Sequence, residues 1–118
     1  MTLQRIASLE HLVGGPRDGH LLRFSLGNEY LNAGDTGKAI EHLARAAEIS
    51  PQHSATWHLL GKAYLAAQQP VAARAAFERG VAVAEHNGDA QALKVMRVAL
   101  RRLDKAVHAS DEKPSREA

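Results

Sequence analysis

Cysteine is absent from this chain of 118 residues, which excludes disulfides, thiol catalysis and thiolate-bound metals. Proline is scarce, at four, and β-branched residues do not cluster as strands require, so alanine-rich helical stretches dominate. No apolar run approaches the roughly 20 residues that cross a bilayer. Arg5, Glu10 and His11 interrupt the N-terminal stretch, which lacks the continuous apolar core of a secretory leader. The seven histidines include no pair four residues apart, the spacing of helical metal sites. Without a strand there is no strand-to-helix phosphate loop, and Gly14-Gly15-Pro16 and Gly34-Asp35 read as turns. These absences predict one cytoplasmic, non-catalytic helical domain with no metal, no cofactor and no membrane segment.

What is present is repetition. Leu26-Gly27-x-x-Tyr30 returns thirty-four residues later as Leu60-Gly61-x-x-Tyr64. The second copy runs Trp57-x-x-Leu60-Gly61-x-x-Tyr64, then Ala73-x-x-x-Phe77. The first runs Arg23-x-x-Leu26-Gly27-x-x-Tyr30, then Ala39-x-x-x-Leu43, with Pro51 closing the unit. A fixed period of this length means one supersecondary unit used twice. Two antiparallel helices share a face closely only where small residues meet, and Gly27, Gly61, Ala39, Ala46 and Ala73 supply them. Tyr30, Leu43, Trp57, Tyr64 and Phe77 are the large pieces that fill the remaining space.

Helical periodicity and turn residues place helices at 2–13, near 19–33, 36–49, 54–67, 70–86 and from 89 to about 108. The first carries Leu3, Ile6, Leu9 and Val13 on one side. Asp18 is a candidate cap for the second helix and Asp89 for the last, and Pro70 suits a first helical turn. Residues 109–118 hold no apolar side chain except alanine and are expected to be disordered.

The paired motifs resemble the tetratricopeptide repeat (TPR), a helix-turn-helix module, over about residues 20–87. The departures are Arg23 in place of the usual Trp, Gly80 in place of Ala, and Glu85 where a closing Pro would fall. Arg23 implies either a first helix less tightly buried at that corner or an aliphatic stem that covers it while the guanidinium stays in water. The resemblance implies an all-α, antiparallel helix-pair solenoid. It has two units, at 20–53 and 54–87, inside a domain of residues 1–108, with an N-terminal helix and a capping helix at 89–108.

The same resemblance implies a concave groove lined by the first helix of each unit, where a protein or peptide partner docks. The corresponding positions are Leu21, Phe24, Ser25 and Asn28 in the first unit and Ala55, His58, Leu59 and Lys62 in the second. The last helix offers Asp89, Ala92, Leu93 and Met96. Phe24 serves as apolar anchor or packs into the core, and Lys62 pairs an acidic group. A subfamily that grips chaperone C-termini uses two Lys, two Asn and an Arg. Phe24 and Leu59 replace two of these, so that clamp is incomplete here.

The last helix carries two patterns of its own. Leu93, Met96, Leu100, Leu103 and Val107 alternate at three and four residues, a stripe suited to capping the second unit or to a homodimer seam. Residues 91–108 carry a net +4 while the rest of the chain carries −2. Lys94, Arg97, Arg101 and Lys105 form a basic stripe, either a solvated face or a track for an acidic partner or nucleic-acid backbone. No aromatic residue interleaves with the stripe, which speaks against nucleic acid. Three functions are therefore in play: peptide docking as adaptor or assembly factor, self-association through the apolar stripe, and phosphate or acidic-partner binding through the basic one.

Overall fold

The computed structural model describes residues 2–117 and places the side chains of residues 3–106. The helices are α1 (Thr2–Glu10), α2 (His20–Asn32), α3 (Thr36–Ile49), α4 (Ser54–Ala66), α5 (Pro70–Asn87) and α6 (Ala90–Glu117), and the described residues contain no strand. α2 pairs with α3 and α4 with α5 as antiparallel hairpins. α6 lies against α5 and touches α4.

Turn chemistry sets the hairpins. α2, α4 and α5 all end in the same two bonds. At the first, Asp35 N–H donates to Tyr30 O at 2.9 Å and Gly34 N–H to Leu31 O at 3.1 Å. Gln69–Tyr64 with Gln68–Leu65, and Asp89–Ala84 with Gly88–Glu85, repeat the pattern. This is the Schellman closure, whose turning residue needs a left-handed backbone. Gly34 (φ 84°) and Gly88 (φ 70°) adopt it freely, whereas Gln68 (φ 59°) does so with a Cβ. Asp35 Oδ1 then accepts the Lys38 N–H at 3.1 Å and Asp89 Oδ1 the Ala92 N–H at 3.2 Å, capping α3 and α6.

Three glycines seat the helices on one another. A Cβ on Gly27 would enter the Leu43 side chain, and one on Gly80 would enter Met96. One on Gly61 would lie 2.5 Å from Phe77 Cε1. Each knob follows its glycine by sixteen residues (27 to 43, 61 to 77, 80 to 96), and all three knobs are fully buried. Gly80 thus departs from the repeat's usual Ala because α6 sits directly on it. Around these contacts run two joined cores, one of Ala39, Leu43, Ala47, Leu60, Ala63 and Ala76, the other of Ala73, Phe77, Ala84, Met96 and Leu103. Leu93 and Leu100 pack against the second, so the α6 stripe is used within the chain. Val107 lies outside the described side chains.

α1 is held more by polar groups than by its stripe. Ile6 is buried, but Leu3 stays 77% exposed. Arg5 pairs with the buried Glu29 at 2.8 Å, and Tyr30 Oη donates to Glu10 Oε1 at 2.7 Å. The same Glu10 oxygen lies 3.3 Å from His42 Nε2. His42 Nδ1 faces the Arg23 guanidinium at 3.2 Å; arginine only donates, so Nδ1 accepts and Nε2 carries the proton toward Glu10.

Four expectations change here. The Arg23 guanidinium is not in water but forks onto both Asp18 oxygens at 2.8 and 2.9 Å, the geometry that favours a bidentate pair. Asp18 consequently does not cap α2; the cap residue is Gly19, with no side-chain bond. α1 ends at Glu10, and bonds from Leu12 N–H to Leu9 O and from Val13 N–H to Glu10 O tighten its exit into turns before Gly14-Gly15. α6 does not stop near residue 108. Its backbone continues helical to Glu117. Ala118 lies outside the described residues.

Three outcomes follow for stability. Gly61→Ala gains about 1 kcal/mol in helix propensity but overpacks a buried ring at a cost of about 1–3 kcal/mol. Urea unfolding should show a net loss, and a stabilised variant would contradict the packing. Gln68→Gly relieves the left-handed residue and should raise stability by about 1 kcal/mol; an unchanged or lower midpoint would refute the strain. Arg23, and with it the Gly14 N–H, holds the Asp18 carboxyl far below its ordinary 3.8, at about 2. A depressed carboxylate stabilises the fold above its unfolded value, and that stability is lost as pH falls through the folded one. Wild type should therefore lose stability from about pH 4 to about pH 2 more steeply than Asp18→Asn. Parallel profiles would show that the pair contributes nothing.

Candidate docking groove between the fourth and sixth helices

α6 packs on α5 at Gly80 and makes only slight contact with α4. The space left is a concavity of about 700 Å³. Its floor and walls are apolar: Phe77 from α5, Leu65 from α4, and Val95, Val98, Ala99 and Leu103 from α6. Its polar residues are His58 and Lys62 on α4 and Gln91, Lys94 and Arg102 on α6. Residues 91, 95, 98 and 102 recur at four, three and four, which brings them to one face of the helix. Burial, and less strongly the Lys62 ammonium, pushes the His58 imidazole below its usual value, so it is neutral at pH 7. The groove is therefore apolar at its base and cationic at its rims.

Of the groove residues expected from sequence, this concavity gathers His58 and Lys62. Leu21 stands 75% exposed on α2 and outside it. Phe24 is half-buried, stacked on His20 at 5.8 Å and edge-on to His53 at 5.2 Å between ring centroids. Both histidines also reach the buried Thr56 hydroxyl, at 2.9 and 2.7 Å. Phe24 is thus tied into the junction of the two hairpins. Ser25 and Asn28 are half-buried on α2, and Leu59 packs against the first core. Met96 requires correction as a groove residue: it is fully buried as the knob on Gly80 and presents nothing to a partner.

The basic stripe of α6 divides. Lys94 enters the groove rim, while Arg97 turns to α5 and pairs with Glu85 at 3.0 Å. Arg101 and Lys105 are exposed outside the groove. Arg102, outside the expected stripe, belongs to the rim instead. Leu65, Gln91, Val95, Val98 and Ala99 were likewise not expected. The four on α6 form a second helical stripe in the sequence, but choosing between stripes needs the rotation of α6 on Gly80.

Among the described residues no group of three His, Asp or Glu side chains could hold a metal ion, and no helix is long and apolar enough to cross a membrane.

Residues 30–96 match a family model described as tetratricopeptide repeat. The chain is 50% identical over 101 residues to the TPR repeat-containing protein PA0015 of Pseudomonas aeruginosa, covering 86% of this chain and 96% of that one. The solution structure of protein BPP2914 from Bordetella parapertussis is similar at TM-score 0.75 and 36% identity, over 86% of this chain and 88% of the other. A tetratricopeptide repeat domain protein from Salinibacter ruber shares the fold at TM-score 0.69 and 22% identity, over 75% and 89%.

Proposed function

Because the chain belongs to the tetratricopeptide repeat family, whose members generally mediate protein interactions, we propose that it is a non-catalytic adaptor or assembly factor. Its docking site is the groove between α4 and α6. The observation that carries this reading is the 700 Å³ concavity with an apolar base, held open by helices that are already packed. A pre-formed groove spends little ordering entropy on its own side when a flexible segment enters. Leu65 and Val95 are 39% and 38% exposed at its walls, accessible enough to be covered by a partner. The centre of docking thus moves from Phe24 and Asn28 towards the C-terminal half, since Phe24 already has aromatic neighbours. Self-association through the apolar α6 stripe is not favoured, because Met96 and Leu103 are buried and Leu93 and Leu100 packed.

Affinity capture from a nuclease-treated lysate of the source organism tests the site. Leu65→Gln/Val95→Gln removes apolar wall at two half-exposed positions and should abolish capture while the circular-dichroism spectrum stays helical. Phe24→Ala should retain the captured protein, with a lower melting temperature because the junction loses its ring. Loss on Phe24→Ala in a folded protein, with capture intact in the double variant, would move the site back to α2.

A further inference from the structure

The rims of the groove carry cations without counterions. Among the eleven residues that line it, Lys62, Lys94 and Arg102 are basic and none is acidic. Nearby, Arg97 pairs with Glu85 and Arg74 of α5 with Asp104 of α6, while Arg101 and Lys105 stand exposed outside the groove. Among the described residues, Lys62, Lys94 and Arg102 take part in no such pair. Three like charges around an apolar base repel one another, and a carboxylate brought between them would be attracted by all three.

Resting on the docking reading above, we propose that the occupant is an acidic amphipathic helix of a partner protein. Its apolar face lies on Leu65, Val95 and Val98, and its carboxylates meet Lys62 on one rim and Lys94 and Arg102 on the other. The spacing supports a helix. Lys94 and Arg102 are eight residues apart on α6, about 12 Å along the axis. A helix lying beside α6 repeats its own face after seven or eight residues, so two Asp or Glu at that separation face both cations. A nucleic-acid backbone would match the charge but leave the apolar base unused, and Phe77 beneath it is fully buried and offers no stacking face. A second copy is disfavoured too, since its α6 brings a further +4 over residues 91–108 to the same rims.

A displayed library of helix-favouring peptides, about sixteen residues long, tests the partner's chemistry on the full chain. The pool selected by wild type should be enriched in Asp or Glu seven or eight apart, bracketing Leu, Ile or Phe. The pool selected by Lys62→Glu/Lys94→Glu/Arg102→Glu should invert to Lys and Arg. For the best peptide, Glu→Gln at one acidic position should weaken Kd by about two- to fivefold, and raising salt from about 50 to about 500 mM should weaken it further. Apolar peptides without acidic bias that still need Leu65 and Val95 would overturn the acidic partner and leave the groove standing. Peptides indifferent to Leu65→Gln/Val95→Gln, or no enrichment over an unrelated helical protein, would overturn the groove as well. Displacement of the peptides by duplex DNA at equal affinity would replace the proposal with a nucleic-acid site. A concentration-dependent dimer that excludes them would replace it with self-association.

Discussion

Both hairpins, and the seat of α6, are set by a large side chain resting on a bare glycine. Leu43 on Gly27, Phe77 on Gly61 and Met96 on Gly80 set the α2–α3, α4–α5 and α5–α6 contacts. The first two are contacts within a hairpin, and the third seats α6 on the outside of the second hairpin. Two hairpins alone would leave the α4–α5 face open to water, which a repeat array cannot sustain. The Gly80–Met96 seat closes that face. It also fixes the rotation of α6, and therefore which α6 side chains turn into the groove and which turn to α5.

The other end is closed by different means. α1 contributes Ile6 to the apolar core, but its attachment relies on Glu10, which takes the Tyr30 hydroxyl and faces His42, and on Arg5 with Glu29. Arg23, where the family carries an aromatic residue, extends this set by linking His42 to Asp18 just before α2. The Tyr30 hydroxyl is correspondingly pushed up to about 12 by its bond to Glu10, followed by burial. Polar attachment is more sensitive to pH than apolar packing. The chain thus has one end fastened by hydrophobic contact and another by charge.

Much of this was legible in the residues. The echo of Leu-Gly-x-x-Tyr identified the unit, and Pro51, Pro70 and Asn87-Gly88 placed most helix ends within a residue or two. What was not legible depended on contacts between segments. Arg23 looked solvent-directed because nothing local announces that Asp18, across the Gly19 break, will turn back to it. The basic residues of α6 line up through Arg101, yet Arg102 joins the groove rim, since helical spacing fixes a set of faces without saying which meets α4. Met96 looked available until its glycine seat was known.

The central claim is that the rotation of α6 on Gly80 makes the α4–α6 face the docking surface. Amide chemical-shift mapping of the bound partner segment on the isotope-labelled chain tests it most directly. The account predicts that the perturbed amides cluster on α4 and α6 around Lys62, Lys94, Val98 and Arg102. A cluster around Phe24 and Asn28 on α2, or around Trp57 and Arg79 on the opposite face, would contradict it.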